Sequence, residues 1–236
     1  MIHGDSVNEF LSVEHMIECS NESDSNGGDC GIFGGWPYLT YQDIQKRGGV
    51  FKDEEYVYCS SILYGKPGNC MPCMPDGYSE DMCGNYSDDD GGVPLYCEPE
   101  STQGQGSDKL CNGESSTVKY AMSISNWTDV SSSDSLEIAQ SLVDIGPLSI
   151  VLDASKLQFY KSGIFNPPKC GTAMNHAVLM VGFGTGVDED TGDDLPFWTV
   201  KNSWGADYGE DGYFRIVRTD DEGTCGINLA VTSGLI

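Results

Sequence analysis

The sequence predicts an α+β fold, with a helical, cysteine-rich first half and a second half dominated by antiparallel strands. Three observations predict it. Two helix signals fall within the first 50 residues, a long aperiodic stretch rich in cysteine follows, and the remainder sets one helix against several short β-rich runs. The first helix is expected over Ser12 to Cys19. The second is expected over Trp36 to Arg47, opened by Pro37 in its first turn and closed by Gly48 and Gly49, because proline presets the first helical φ and glycine tolerates the closing conformation. Between them and the sheet, Cys59, Cys70, Cys73, Cys83, Cys97 and Cys111 are scattered among Gly, Pro, Asp and Asn with no helical or strand period. Such a stretch holds its shape only when disulfides or a metal staple it. A third helix starts at Asp134 with Glu137 in its first turn, offers Leu136, Ile138, Ala139, Leu142 and Val143 for packing, and stops at Gly146-Pro147. Four strands are expected after it: Leu148 to Leu152, Ala177 to Phe183, Phe197 to Val200 and Tyr213 to Val217. The expected organisation is 1–118 for the helical part, which carries the cysteine-rich insertion 59–115, and 119–236 for the β-rich part.

At 236 residues the chain can bury one generous core or two small ones. It carries 37 acidic against 12 basic residues, a formal net charge of −25. That field repels phosphate backbones and anionic lipid, which argues against nucleic acid or a membrane as partner. No apolar run approaches the roughly 18 residues of a membrane span. The start, Met1 to Asp5, has neither the basic nor the apolar region of a secretory leader. Ten cysteines point the other way, to an oxidising compartment. So do the glycosylation sequons Asn21-Glu22-Ser23, Asn85-Tyr86-Ser87 and Asn126-Trp127-Thr128. The expectation is a secretory-route glycoprotein, lysosomal, vacuolar or extracellular, whose leader lies outside these residues.

His176 stands between Asn175 and the apolar run Ala177 to Val181, so its ring is held at a strand entry. Asn202, followed by Ser203, Trp204 and Gly205, closes a later strand. Two strand ends can bring an imidazole and a carboxamide together. The amide would then fix the ring's tautomer and orientation, as the third group of a catalytic triad does, and a nearby indole would keep water from that bond.

Three runs occur in an order and register that resemble the papain-like, cathepsin-type cysteine peptidases. They are Asn175-His-Ala-Val-Leu-Met-Val-Gly-Phe-Gly184, Trp198-Thr-Val-Lys-Asn-Ser-Trp-Gly205 and Gly146-Pro-Leu-Ser-Ile-Val-Leu-Asp-Ala154. Near the start, Leu11-Ser-Val-Glu-His-Met-Ile-Glu-Cys19 resembles the family's S-E-Q-x-L-x-x-C helix, and Gly34-Gly35-Trp36-Pro37 its glycine-rich substrate loop. The resemblance covers all but roughly residues 59 to 115 and implies a two-lobed papain-like fold with a truncated helical left lobe and a β-rich right lobe. It implies His176 as base and imidazolium partner of the nucleophile, Asn202 as its orienter and Trp204 as shield and leaving-group wall. Gly34 and Gly35 would offer backbone hydrogen bonds to an extended peptide, and Trp36, Pro37, Val151, Ala177 and Ala230 would line an apolar pocket for the second residue before the scissile bond. Proteins or peptides would be substrates, and a propeptide or a cystatin-like inhibitor would be further partners.

The family's nucleophile motif, C-G-S-C-W on a helix N-terminus, is absent from this chain, and the residues ahead of Ser12 contain neither cysteine nor glutamine. Cys30 lies within the separation of about 130–150 residues from His176 that a papain-type nucleophile shows, yet Asp29-Cys30-Gly31-Ile32 leads into a loop instead of opening a helix. By resemblance Cys30 is a half-cystine whose partner lies outside this chain, hence an unpaired thiol here. Cys170 and Cys225 match the family's C-terminal bridge, and Cys19 should pair with Cys59, Cys70 or Cys73. Cys70-x-x-Cys73 with Cys83 and Cys97 has zinc-ligand spacing, but disulfides are favoured in an oxidising compartment. Asp88-Asp89-Asp90 lacks the spaced loop that wraps calcium, so neither metal nor cofactor is expected. Two functions fit: a cysteine endopeptidase of which this chain carries everything but the nucleophile, inactive alone, or a catalytically dead relative that binds peptide or protein.

Overall fold

A computed structural model describes residues 10–56, 79–83, 111, 119–189 and 191–236. Cys59, Cys70, Cys73 and Cys97, the Asn85 sequon and the Asp88 to Asp90 run lie outside the described residues. The chain separates into two compact units, one of residues 1–126 with residue 236 and one of 127–235. Residues past 118 stay with the first unit because Ala121 donates its N–H to Val50 at 2.8 Å and Val50 donates to Met122 at 2.8 Å.

In the first unit, helix α1 spans Val13–Cys19. The Ser12 hydroxyl accepts the His15 N–H at 3.0 Å, which caps the helix, and donates to the Tyr56 carbonyl at 2.5 Å, which ties it to the chain beyond α2. A short hairpin, β1 (Ser23–Asp24) and β2 (Gly27–Gly28), leads to α2, Pro37–Arg47. Gly48 closes α2 at φ 89°, a conformation that favours glycine. Arg47 in the last turn of α2 pairs with Asp43 through its Nε at 2.7 and 2.8 Å. Its terminal nitrogens donate to the Cys111 carbonyl at 2.9 Å and to the Cys19 carbonyl. Those two cysteines form a disulfide. The expected partners of Cys19, namely Cys59, Cys70 or Cys73, are therefore replaced by Cys111, held opposite Cys19 by the guanidinium that bonds both carbonyls.

Cys30 is also bonded, to Cys83 at the end of the one-turn helix α3, Glu80–Cys83, so the expected free thiol is corrected. The glycine hairpin makes this closure possible. A Cβ on Gly28 would sit 3.1 Å from Cβ of Met82 and 3.5 Å from Sγ of Cys83. The same bond removes Cys83 from the zinc-spaced set.

The second unit is built on a seven-stranded sheet of order β3-β9-β4-β6-β7-β8-β5. Its strands are β3 (Asn126–Asp129), β4 (Leu148–Leu152), β5 (Ile164–Phe165), β6 (His176–Val187), β7 (Asp194–Lys201), β8 (Tyr213–Val217) and β9 (Val231–Leu235). The pairings of β4 with β6 and β9, of β6 with β7 and of β7 with β8 are antiparallel, and β5 joins β8 in parallel. Helix α4, Ser135–Asp144, is capped by Asp134, whose carboxylate accepts the Leu136 N–H at 2.8 Å. It lays Ile138, Ala139 and Leu142 on a core made by Leu148, Ile150, Leu152, Met180, Trp198, Val200, Phe214 and Ile216. Cys170 and Cys225 are disulfide-bonded beside this core. Among the described residues no helix is long and apolar enough to cross a membrane.

Candidate active site

β6 and β7 form one long hairpin, and His176 begins the first arm while Asn202 follows the last residue of the second. The register runs Leu179 to Lys201 and Met180 to Val200, then shifts by one residue before Gly182 pairs with Thr199. That bulge lets the arms keep pairing while the site end sets its own side-chain orientation. His176 shares its sheet face with Val178 and Met180, two core residues. It is the first residue of its strand, half-buried where those core residues run out.

The ring nitrogen Nε2 of His176 lies 2.8 Å from Oδ1 of Asn202. The Ser203 N–H donates to the same oxygen at 2.8 Å, which marks that atom as an acceptor. His176 therefore donates from Nε2, and in the neutral form of the ring Nδ1 is the acceptor. Asn202 is 9% exposed, so the bond is screened from water on the amide side. Trp204 covers the ring, stacked at 4.9 Å with 27° between planes, and Tyr208 meets Trp204 edge-on at 4.9 Å. The Tyr208 hydroxyl donates to the Leu157 carbonyl at 2.9 Å, and burial pushes its pKa up to about 12. The arrangement thus fixes the imidazole's orientation, with Nε2 turned to the amide, an indole over the ring and Nδ1 on the side away from Asn202.

An open pocket of about 460 Å³ adjoins the ring, lined by Ala154, Ser155, Gln158, Asn175, His176 and Trp204. Ser155, Gln158 and Asn175 were not signalled as lining by the sequence; the only cue is that they stand just beyond β4 or just before β6. Asn175 is fixed by accepting the Ala154 N–H at 2.9 Å. Beneath them Asp153 accepts from the Ser155 hydroxyl at 2.5 Å and the Ser155 N–H at 3.0 Å, and these bonds hold its carboxyl below the usual range.

Val151, Ala177 and Ala230 meet on the sheet. Val151 pairs with Ala177 across β4 and β6, and the Val151 N–H donates to the Ala230 carbonyl at 3.1 Å. Ala177 is exposed, Ala230 half-buried and Val151 buried. Gly34, Gly35, Trp36 and Pro37 belong to the first unit. The Gly34 N–H goes to Gly31 and its carbonyl to Cys30, so its own polar groups are used in the turn. Gly35 is exposed and passes so close to Asp29 that a Cβ would lie 2.2 Å from the carboxylate, which in turn accepts the Trp36 N–H at 3.0 Å. Among the described residues no cluster of three or more His, Cys, Asp or Glu could hold a metal ion.

The sequence profile of the papain family of cysteine proteases matches residues 1–235. The chain belongs to this family. It is 32% identical to cathepsin L1 of Drosophila melanogaster over 214 residues, covering 89% of this chain and 53% of that protein. It is 30% identical to cathepsin L of Sarcophaga peregrina over 222 residues, 92% of this chain and 60% of that protein. The chain thus spans about half the length of the curated relatives it matches. Among solved structures, bromelain of Ananas comosus in complex with the E64 inhibitor superposes with a TM-score of 0.63 at 26% identity, covering 97% of this chain and 79% of that one. Digestive procathepsin L 3 of the Tenebrio molitor larval midgut gives 0.60 at 26% identity, covering 97% and 56%. The papain-like fold, a helical portion joined to a mostly antiparallel sheet, follows from both.

Proposed function

We propose that the protein to which this chain belongs hydrolyses peptide bonds with a cysteine thiolate, His176 and Asn202, and that the nucleophile is supplied by sequence beyond these 236 residues. The observation that carries this reading is the 2.8 Å contact between His176 Nε2 and Asn202 Oδ1. Nδ1 takes the thiol proton, and the sulfur attacks the substrate carbonyl. The imidazolium then returns the proton to the departing amine as the carbon–nitrogen bond breaks. Water, deprotonated by the same ring, releases the acid from the thioester. Trp204 screens the imidazole–amide bond through both protonation states. Support for an external nucleophile comes from the cysteines: among the described residues all six are in disulfides and have no thiolate to offer.

The peptide's second residue before the scissile bond is proposed to meet Val151, Ala177 and Ala230, and an apolar side chain suits them. In the first unit, Gly34, Gly35, Trp36 and Pro37 are proposed to meet an extended peptide, the two glycines through their backbone. A propeptide or a cystatin-like inhibitor would compete with substrate, and a lysosomal, vacuolar or extracellular location suits the disulfides.

The test compares the 236-residue chain with the longer gene product on a fluorogenic peptide carrying an apolar residue at that second position. Turnover is expected only from the longer protein, abolished by His176→Ala and lowered in kcat by Asn202→Ala. Thiol-sensitive cleavage by the 236-residue chain itself would overturn the external nucleophile. Binding without turnover in both would favour a peptide-binding relative.

A further inference from the structure

We infer that Asn126, and not Asn21, carries an N-linked oligosaccharide; the inference rests on the secretory-route reading above. Two sequons fall on described residues, Asn21-Glu22-Ser23 and Asn126-Trp127-Thr128, and the fold treats them differently. Modification precedes or accompanies folding, so the folded state must leave the glycan an open exit. Asn126 is exposed, preceded by exposed Ser125, and is the first residue of β3. β3 is the terminal strand of the sheet, pairing with β9 on one side. A bulky polar group on this side chain therefore points to solvent and displaces no packing. It also stands on an end strand of the sheet, a position where natural sheets place charges or other bulk against association.

Asn21 is in the opposite situation. It is half-buried in the tight segment between α1 and the β1–β2 hairpin. The residue before it, Ser20, is buried and donates to the Asp29 carboxylate. The residue after it, Glu22, accepts the Asp29 N–H at 2.8 Å through its carbonyl and pairs with Lys46 through its carboxylate. A sugar on Asn21 would have to leave through that network.

The transfer is chemically complete with one co-substrate, an oligosaccharide linked to a polyprenyl pyrophosphate. The bond from the sugar's anomeric carbon to the pyrophosphate oxygen breaks, a bond to Asn126 Nδ2 forms, and that nitrogen loses one proton as the pyrophosphate leaves. Threonine at the third position supplies the hydroxyl that the acceptor sequence requires.

The experiment directs the 236-residue chain with Asn85→Gln into a eukaryotic secretory route by an added leader and maps glycopeptides after amidase release, which leaves aspartate at each occupied site. Aspartate at 126 and asparagine at 21 is the expected result. Thr128→Ala should abolish the modification and Thr128→Ser retain it, so loss of occupancy is separable from misfolding. Asparagine at 126 in the parent, or aspartate at 21, overturns the assignment. Because the leader imposes the route, this result is independent of natural targeting. The same peptide from the natural source reads that separately: unmodified there but modified here, Asn126 stands as the acceptor and the secretory-route reading fails.

Discussion

The two units are held together by different forces. The second buries Trp198, Phe214, Met180, Leu148 and Ile150 against a helix, an apolar core of the ordinary kind. The first buries Glu14, His15, Asp29 and Asp43, each at most 5% exposed, among short helices and two disulfides. His15 sits in an aromatic box, 4.7 Å from Phe51, 5.3 Å from Tyr56 and 6.0 Å from Tyr120. Neither of its ring nitrogens has a hydrogen-bond partner among the described residues. Burial, with Arg47 adding to it, lowers its pKa to about 4. One turn on, burial raises Glu18 to about 7 against the Tyr56 hydroxyl bond, and Glu14 adds to the rise. Asp43 is raised to about 6 by burial, with Arg47 opposing. Packed beside the buried Leu39, Ile44, Val50 and Phe51, these titratable groups and sulfur bridges make the first unit respond to pH and redox conditions as well as to packing.

The sharpest way to break this comparison is reduction. The Cys19–Cys111 bridge closes a separation of 92 residues, and losing such a loop costs roughly 4 kcal/mol in chain entropy. Hydrogen exchange under reductant should show the amides of α1 and α2 exchanging freely while those of β6 and β7 stay protected, although the second unit loses its own bridge too. Equal loss of protection in both would dissolve the distinction. Next in size, Phe214→Ala should destabilise the second unit by about 3–5 kcal/mol, read as a lower denaturant midpoint. Protection in α1 should hardly change.

The pH response comes third. Glu18 and Asp43 have folded pKa values above their ordinary ones, so the stability they contribute is complete in acid. It is lost as pH rises through about 6 for Asp43 and about 7 for Glu18. His15 has the opposite sign. Its contribution is complete above its ordinary 6.5 and is lost as pH falls towards about 4. The first unit should therefore be most stable on the acid side of neutrality, with two limbs. Glu18→Gln should flatten the alkaline limb and His15→Leu the acid limb, while the β6 and β7 amides show neither. The smallest effect is that of Asn202→Ala, which should cost about 1 kcal/mol of global stability and yet broaden the His176 ring resonances in NMR spectra.

The contact of His176 with Asn202 was more legible in the sequence than the scaffold around it. The approach of His176 to Asn202 could be expected because each stands at the end of an apolar strand run, and the runs around them resemble those of the papain-like peptidases. β4 and β8 were read to the residue, since each is a short apolar or aromatic run interrupted by one polar residue, Ser149 or Arg215, and bounded by turn residues. β6 and β7 were read short, because their outer arms contain Gly182, Gly184, Gly186, Asp194 and Pro196, which have low strand propensity. Tertiary contact overrides it there: a Cβ on Gly184 would fall 2.8 Å from the Phe197 ring, so glycine is what lets that ring lie across the arm. β3 and β5 were missed because short edge strands carry little periodicity, and β9, an interior strand, because Thr232, Ser233 and Gly234 interrupt its apolar pattern. The partners of Cys19 and Cys30 were misread because connectivity depends on which loops fold back on which helix, and spacing does not record that.

His176 and Asn202 emerge from the same end of a single two-arm element, while the pairing of Val187 with Asp194 lies at its far end. A change of length beyond Asp188, which is buried, should leave the pairs Leu179–Lys201 and Met180–Val200 in place. The far end is thus a place where lineages can diverge, or an engineer can insert a reporter, while the imidazole and its carboxamide keep their alignment.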